Sequence, residues 1–438
     1  MGGRACRRAG DGALTDTIFA LSSGRPPCAV AVIRSSGPQA FSAAEMLCGT
    51  LPAVRQAALR AVYDGGELID HCLVLRFDGP ASATGDNVVE YQCHGGRAVT
   101  DAMLAALAKL PGMRAAKPGE FTRRSFANGR IDLTEAEGLA DLLEAETESQ
   151  RRAAMRNAEG GLRRQVEAWR EAVVILSARA EAAIDYVGDE DETAADERGL
   201  ADEAMQLADE MATWLARPRA EALKDGIRVV ASGPPNAGKS SLINALSGID
   251  RAIVTSVAGT TRDVIEVPLA IGGVPFVLVD TAGLRPSGDE VEQIGIARAE
   301  AEARRADILL WLGVPGNAPD HAGLIRVHAR TDLPGREVAP TDSWAVSSTT
   351  GAGISELIDQ LRSKALEILP ADDEVSINRR QADCLAEAEV ALRDAAGGQI
   401  EITADSLRRA RESLDRITGR SGVDDMLDAL FGRFCLGK

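Results

Sequence analysis

Five short stretches of this 438-residue chain carry side chains of the kind that handle phosphate esters. The first, Gly233-Pro234-Pro235-Asn236-Ala237-Gly238-Lys239-Ser240, fits the pattern GxxxxGK[ST], with the apolar run Ile227 to Ala231 before it and a helix-forming stretch from Ser241 onward. A loop of this kind turns successive backbone N–H groups and a helix N-terminus toward phosphates. Lys239 adds a point charge and Ser240 an oxygen ligand for Mg2+. The second, Asp280-Thr281-Ala282-Gly283, follows the apolar run Val274 to Val279, so an acidic residue stands at a strand end facing the loop. Asp280 can then hold Mg2+ through water, and the Gly283 N–H can sense a terminal phosphate. The third, Gly259-Thr260-Thr261-Arg262-Asp263, lies between them and offers Thr261 to complete the Mg2+ shell when a triphosphate is bound; by position it is a switch segment. With Thr255, Ser256, Val257 and Ala258 leading into it, the whole run from Thr255 to Thr261 is expected to touch nucleotide.

The last two stretches concern the base. GTP-hydrolysing proteins usually carry Asn-Lys-x-Asp after a late strand, where the Asp accepts from two N–H groups on one edge of guanine. Here the corresponding segment is Ala329-Arg330-Thr331-Asp332. Asp332 keeps the discriminating carboxylate, and the stem of Arg330 can cover the base face as a Lys would. Ala329 cannot replace the Asn amide, so guanine selectivity is expected to survive with modest affinity. Ser347-Ser348-Thr349, ahead of Gly351 and a helical stretch, is placed to cover the base from the other side.

Elements must hold these loops in place. From Ile227 the chain alternates β-type runs with glycine loops and helices, the α/β pattern: Ile227 to Ala231, Val264 to Ala270, Val274 to Asp280, Asp307 to Leu312 and a weaker run at Leu324 to Ala329. Ile271-Gly272-Gly273 reads as a hairpin turn, which makes one edge pair antiparallel. The first ~120 residues carry β-type runs at Ala29 to Arg34, His71 to Phe77 and Val88 to Cys93, and then a helix through Gly95-Gly96 to near Leu110, a compact α+β domain. Glu135 to Trp214 is rich in Ala, Glu, Arg and Leu with helical periodicity, interrupted by the acidic Gly188 to Asp196. Helix-type sequence returns after Pro370. The expected fold class is therefore multidomain α/β plus α, with a helical domain interrupted by an inserted nucleotide domain.

Net charge is -17, which repels nucleic acid at long range and confines any RNA contact to a local patch. Arg clusters at Arg4, Arg7 and Arg8, at Arg123 and Arg124, at Arg151, Arg152 and Arg156, and at Arg408, Arg409 and Arg411 read as solvated helix faces balanced by nearby carboxylates. Seven scattered cysteines with no CxxC pair fit reduced thiols in a cytoplasmic protein and exclude a zinc ribbon. Cys93-His94, at a strand end, reads as structural rather than as a ligand pair. No apolar run approaches the ~20 residues of a membrane span. Met1 to Gly10 is Arg-rich without the apolar stretch of a secretory signal.

Together these stretches resemble the tRNA modification GTPase family called MnmE or TrmE, over nearly the whole chain. Asp16-Thr17-Ile18, Ala29 to Arg34, Thr84-Gly85-Asp86-Asn87-Val88-Val89-Glu90 and Cys93-His94-Gly95-Gly96 look like its N-terminal domain. Pro118 to Arg124 and Asn128 to Glu137 look like the passage into its helical domain, and Cys435-Leu436-Gly437-Lys438 like its terminal CxGK. The resemblance implies residues 1–118 as an α+β domain for dimerisation and folate binding, 119–220 as the first part of the helical domain, 221–372 as an inserted Ras-like P-loop domain, and 373–438 as the second helical part.

It further implies a homodimer, 5-formyltetrahydrofolate as ligand, and an FAD-dependent partner protein, MnmG, with which the family installs an aminomethyl-type group on carbon 5 of the tRNA wobble uridine. Carried over by motif, Arg34, Glu90, Arg130 and Lys438 are the folate contacts, with Arg130 standing where a Lys is common, and Cys435 is a candidate functional thiol. Where a water-positioning Gln can follow Asp-Thr-Ala-Gly, this chain has Leu284, which cannot orient water. The resemblance supplies Glu292 in its place, acting through an intervening water, and K+ held by Asn236 and by oxygens of Thr255, Val257 and Thr260. Two other classes compete with this reading: a ribosome-assembly or translation-type GTPase, and a nucleotide-regulated scaffold. Folate binding, ribosome binding and K+-stimulated turnover separate the three.

Overall fold

The computed structural model describes residues 16–185, 190–218, 220–248, 265–280, 300–371, 374–397, 399–421 and 424–437. They form two compact units, Met1–Ala140 with Thr418–Lys438, and Asp141–Ile417.

In the first unit a six-stranded sheet runs in the order β3-β4-β5-β2-β1-β6. Its strands are β1 (Thr17–Leu21), β2 (Val30–Ser36), β3 (Ala57–Asp64), β4 (Glu67–Phe77), β5 (Val88–His94) and β6 (Met113–Ala115). All neighbours are antiparallel except β1 and β6. Alternation along β4 and β5 turns Cys72, Val74, Tyr91 and Cys93 to one face, where they join Ala40, Ala43, Ala44 and Leu47 of α1 (Ala40–Cys48) and Met103, Ala106 and Leu107 of α2 (Arg97–Ala108) in one core. The opposite face of β3 and β4 leaves Leu59 and Leu73 exposed directly across from each other, with Tyr63 and Leu68 beyond them. A smaller core joins Leu133, Ala136 and Ala140 of α4 (Leu133–Glu144) to Leu427, Phe431 and Phe434 near the C-terminus. Gly119, at φ 70, precedes α3 (Glu120–Ala127), and a Cβ there would run into the Phe431 carbonyl.

The second unit has two cores. The helical one draws Leu162, Val166, Trp169, Val173 and Leu176 from α6 (Gly161–Asp185) and Leu200, Ala204, Ala208 and Met211 from α7 (Glu190–Leu215). The spacing of three and four residues puts each set on one face of its helix. Residues 382–395 and 407–417 complete this core, with alanines on both sides allowing close approach, and Trp169 meets Trp214 edge-on at 5.3 Å. The other core lies around a six-stranded sheet ordered β12-β11-β10-β7-β9-β8. It comprises β7 (Ile227–Ser232), β8 (Ile265–Ile271), β9 (Val274–Asp280), β10 (Ile308–Trp311), β11 (Leu324–Ala329) and β12 (Trp344–Val346), parallel apart from β8. The expected hairpin through Gly272-Gly273 is present, with Ile271 paired to Val274. Helix α5 (Glu148–Ala158) starts with a capping box in which Thr147 and Gln150 satisfy each other's N–H groups, and its Ser149 N–H donates to Gly273 O at 3.2 Å.

Three sequence expectations need correction. The acidic segment Gly188 to Asp196 does not interrupt the helices over its length, since α7 is helical from Glu190; carboxylates suit a helix start, where the peptide dipoles favour negative charge. Four strands escaped the sequence pattern, β1, β3, β6 and β12. Alanines blur the alternation of β3, and β6 and β12 are three residues each, too short to show a period. Arg124 is not a solvated charge: only 2% exposed, it spans Asp16 Oδ1 at 2.7 Å, Asp16 O at 2.9 Å, Ser36 O at 3.2 Å and Asp86 Oδ2 at 3.4 Å. Its neighbour Arg123 does stay exposed against Asp428, as Arg151 and Arg152 do against Glu148. Among the described residues, no helix is long and apolar enough to cross a membrane.

Candidate functional site

Strand β7 sits at the centre of the second sheet and ends at Ser232, so the loop 233–238 leaves from the carboxyl edge of the parallel strands, where ligands bind in open α/β sheets. The loop then turns sharply into α9 (Lys239–Ser247). Gly238, its N-cap residue, has φ 103, and Asn236 has φ 60, so both adopt left-handed backbone that lets successive N–H groups converge. Lys239 is 8% exposed, and its Nζ donates to the carbonyls of Gly233 and Pro234 at 2.9 Å each. The ammonium therefore lies across the inside of the loop. Ser240 and Ser241 occupy the first turn of α9, with Ser240 half-buried and Ser241 exposed, and Ala237 is half-buried between Asn236 and Gly238.

Asp280 closes β9, which pairs in parallel with β7 in a register that sets Ala231 opposite Asp280. One of the expected acids thus stands at the same sheet edge as the loop, on the neighbouring strand, and is only 7% exposed. A carboxylate that deeply placed needs compensation by hydrogen bonds or a cation. Its position and that of Ser240 suit a hard divalent ion with oxygen ligands. Thr281, Ala282, Gly283, Leu284 and Glu292, and the run Thr255, Ser256, Val257, Ala258, Gly259, Thr260 and Thr261, lie outside the described residues.

The two stretches expected to read the base come together although β12 was not expected between them. Ala329 ends β11 and Val346 ends β12, paired in parallel, and Thr331 N–H donates to Val346 O at 3.2 Å. This brings the Ser347 hydroxyl within 2.6 Å of Asp332 Oδ1, to which it donates. Ser347 is itself 1% exposed and fixed by Thr350 N–H at 3.2 Å and by backbone bonds to Gly351 and Ala352. The Ser347 hydroxyl, then Thr349 and the Arg330 charge, hold the Asp332 carboxyl below the usual carboxylate range. Ser348 is half-buried, Thr349 exposed. Arg330 adopts φ 65, and its stem passes close to Gly238, where a Cβ would stand 3.5 Å from Nε. The Arg330 side chain therefore lies beside the 233–238 loop. Buried Ala329, which lacks the usual amide, has its carbonyl bonded by Arg336 Nε at 3.0 Å, a contact sequence alone did not suggest.

In the first unit Arg34 and Glu90 face each other across β2 and β5, joined at 2.8 Å and 2.9 Å, with the guanidinium 5.8 Å from the centre of the Phe121 ring. Arg130 is exposed, and its stem lies beside Gly85 in the loop that Asn128 ties down through Thr84 O at 2.8 Å. Ser36, two residues beyond Arg34, meets Thr84 at 2.8 Å, so the three expected contacts line one connected region. The C-terminal tail is fixed to this unit by Ser22, whose hydroxyl donates to Gly437 O at 3.0 Å. Gly437 has φ 92 and packs so closely that a Cβ would strike the Leu21 carbonyl. Cys435 is exposed, and Lys438 lies outside the described residues. Sequence reasoning missed Arg124 and Arg114 here; Arg114 pairs with both Asp16 and Glu120, and only the tertiary fold buries these charges together.

The profile described as MnmE helical domain matches residues 133–435, and that described as GTP-binding protein TrmE N-terminus matches residues 17–130. A protein of Erythrobacter litoralis (strain HTCC2594) named tRNA modification GTPase MnmE is 52% identical over 426 residues, which cover 97% of this chain and 100% of the relative. Its namesake in Novosphingobium aromaticivorans is 50% identical over 437 residues, again 97% of this chain and 100% of the relative. Among solved structures, the G domain of the T. maritima FeoB iron transporter aligns with a TM-score of 0.24 at 24% identity, over 32% of this chain and 98% of that one. With relatives of this identity aligned over nearly its whole length, the chain belongs to the family of tRNA modification GTPases MnmE.

Proposed function

We propose that this protein hydrolyses GTP as the switch component of a tRNA wobble-uridine modification complex, working with an FAD-dependent partner of the MnmG kind and with 5-formyltetrahydrofolate. The observation that carries the reading is the meeting of a phosphate loop with the Asp332–Ser347 pair at one sheet edge, in a chain of the MnmE family. Asp332 accepts from the two N–H groups of guanine, and Ser347 aims it. Ser240 and Asp280, with Thr261, hold Mg2+, which neutralises the charge of the β- and γ-phosphates. Asn236, with Thr255, Val257 and Thr260, holds K+, whose charge takes the place of an arginine finger. Glu292 orients the attacking water in place of the side chain that Leu284 lacks.

In the first unit, Arg34, Glu90, Arg130 and Lys438 bind the folate: the cations suit its glutamate carboxylates and Glu90 the donor edge of the pterin. Cys435, exposed beside this tail, is the thiol assigned to the modification chemistry. The exposed apolar face of Leu59, Tyr63, Leu68 and Leu73 supports a homodimer through the N-terminal domain. The division into residues 1–118, 119–220, 221–372 and 373–438, with the P-loop domain inserted in a helical one, draws support from the helical core that joins 162–214 to 377–417. Reduced thiols and the absence of an apolar spanning run favour a cytoplasmic location.

Two measurements test this. GTP hydrolysis in K+ should exceed that in Na+ by at least roughly 10²-fold, the size of one lost electrostatic contact in a transition state, and ATP should not be turned over. Asn236→Ala should remove most of the K+ stimulation while leaving nucleotide affinity within a few fold; equal rates in the two salts would sink the cation assignment. Asp332→Asn should narrow GTP-over-ATP selectivity by roughly 10²-fold, because an amide presents a donor where guanine also donates. Since the Ser347 hydroxyl holds the Asp332 carboxyl low, selectivity in the unmutated protein should persist as pH falls to the ordinary carboxylate range. Unchanged selectivity in Asp332→Asn would assign base reading elsewhere.

A further inference from the structure

Strands β4 and β5 place two cysteines face to face in the N-terminal sheet. Leu73 pairs with Gln92, so one step along the ladder Cys72 stands opposite Cys93, both on the core side and 0% and 2% exposed. Asp70, two residues before Cys72, points its carboxylate to the same place. A carboxylate oxygen of Asp70 and the sulfurs of Cys72 and Cys93 all lie within 4.8 Å of one another, with Cys72 Sγ 3.8 Å from Asp70 Oδ2. Around a tetrahedral zinc ion, thiolate and carboxylate ligand atoms stand about 3.5–3.8 Å apart, which follows from metal–sulfur and metal–oxygen bonds of about 2.3 and 2.0 Å. The Cys72–Asp70 pair already has nearly the spacing of two such corners, and the Cys93 sulfur lies within 4.8 Å of both.

The carboxylate is oriented as metal-bound carboxylates are. Asp70 Oδ1 is hydrogen-bonded by His71 N–H at 2.7 Å and by the His94 ring Nδ1 at 2.8 Å, and Oδ2 by His94 N–H at 2.8 Å. That leaves Oδ2 facing the Cys72 sulfur. A partner fixed by a histidine in this way is the outer-shell arrangement that sets ligand direction at zinc centres. Cys72 Sγ donates to Asp70 Oδ2 and Cys93 Sγ to Ala31 O at 3.4 Å, so each thiol carries a proton that a cation can replace.

We propose that Asp70, Cys72 and Cys93 bind a thiophilic divalent ion of the zinc class. Binding displaces two thiol protons to solvent and forms two metal–sulfur bonds and one metal–oxygen bond, with no change of oxidation state. The His94 ring, whose Nδ1 bonds Asp70 Oδ1, is three-quarters exposed beside the cluster. The ion ties β4 to β5 at the end of the sheet from which Gly95-Gly96 leads into α2. His94 is not itself a ligand here; it holds Asp70, and Cys93 alone of the Cys93-His94 pair faces the ion. No sequence motif signals the site, because its two thiols come from strands that meet only in the folded sheet.

The test titrates the full chain, purified under reducing conditions and freed of metal, with Co2+. One equivalent should produce the intense thiolate-to-cobalt absorption of a two-sulfur site, and one equivalent of Zn2+ should abolish it. Cys72→Ser and Cys93→Ser should each remove most of the absorption, and Asp70→Asn, which removes a ligand rather than an outer-shell partner, should weaken Co2+ binding by more than roughly 10-fold, whereas Cys384→Ser, at a cysteine in the other unit, should retain the unmutated signal. Circular dichroism of each variant checks that the sheet has formed. For the unmutated chain, which needs no variant to fold, absence of thiolate-to-cobalt absorption at one equivalent overturns the proposal. So does absorption that survives in the Cys72→Ser, Cys93→Ser double variant.

Discussion

Lys239→Ala is expected to lower GTP turnover by about 10³-fold, the upper end for loss of one preorganised charge at a transferring phosphoryl group. The side chain is 8% exposed and lies across the inside of the loop, with Nζ 2.9 Å from the carbonyls of Gly233 and Pro234. An ammonium that donates to two loop carbonyls can exchange them for phosphate oxygens with little movement of its stem. Alanine removes the charge and leaves those carbonyls without their donor, so nucleotide affinity should fall as well. Arginine should not restore turnover, because a planar guanidinium does not fit the space a compact ammonium fills. Single-turnover hydrolysis measured beside nucleotide affinity separates the two effects. A variant within tenfold of the unmutated rate would remove Lys239 from the catalytic machinery.

Arg124→Ala should destabilise the N-terminal unit by about 3–5 kcal/mol, the cost of stripping one partner from a buried ion pair. The guanidinium, 2% exposed, binds the Asp16 carboxylate and carbonyl, the Ser36 carbonyl and Asp86. It therefore joins the start of β1, the end of β2 and the loop before β5. Arg124→Met keeps much of the volume and should be nearly as damaging, since the Asp16 and Ser36 carbonyls and the two carboxylates lose this donor. The four tryptophans, Trp169, Trp214, Trp311 and Trp344, all belong to the other unit, so intrinsic fluorescence would miss the change. Hydrogen exchange of β1 and β2 amides reads it directly, and protection unchanged in both strands would refute the assignment.

The same cluster carries an acid sensitivity. Burial works to raise the Asp16 and Glu120 carboxyls, but the hydrogen bonds and charge of Arg114, aided by Arg124, outweigh it and hold both below their ordinary values. A carboxyl depressed in the folded state contributes stability above its unfolded value, near 3.9–4.3, and loses it as pH falls through the folded value. Exchange protection of β1 and β2 should accordingly weaken below about pH 4, and less steeply once Arg124 is replaced.

Much of the candidate site was legible in the residues because its chemistry depends on local chain order. Gly238 and Lys239 work as neighbours: a left-handed glycine must precede the helix whose first residue is the lysine, and the spacing GxxxxGKS records that requirement. Asp280 was placed by the apolar run before it, since a buried parallel strand ends where a carboxylate begins. The hairpin at Gly272-Gly273 followed from the two glycines that its φ values of 56 and 83 demand. Composition and helical spacing gave the long α6 and α7 for the same reason: their information is periodic and near in sequence.

What the tertiary structure alone decided concerns partners distant along the chain. Nothing in Ser347 says that its hydroxyl will orient Asp332; a three-residue strand too short to show a period brings them to 2.6 Å. Arg123 and Arg124 are adjacent and chemically identical, yet one is exposed and the other buried, because a helix turns neighbours about 100° apart and only packing determines which side meets the sheet. Cys72 and Cys93 become neighbours solely through the register of β4 and β5, where a slip of one residue would turn either thiol to the opposite face. Motifs therefore identified the nucleotide loop and the family, while burial, charge pairing and the thiol cluster awaited the fold, since each depends on which surfaces are removed from water together.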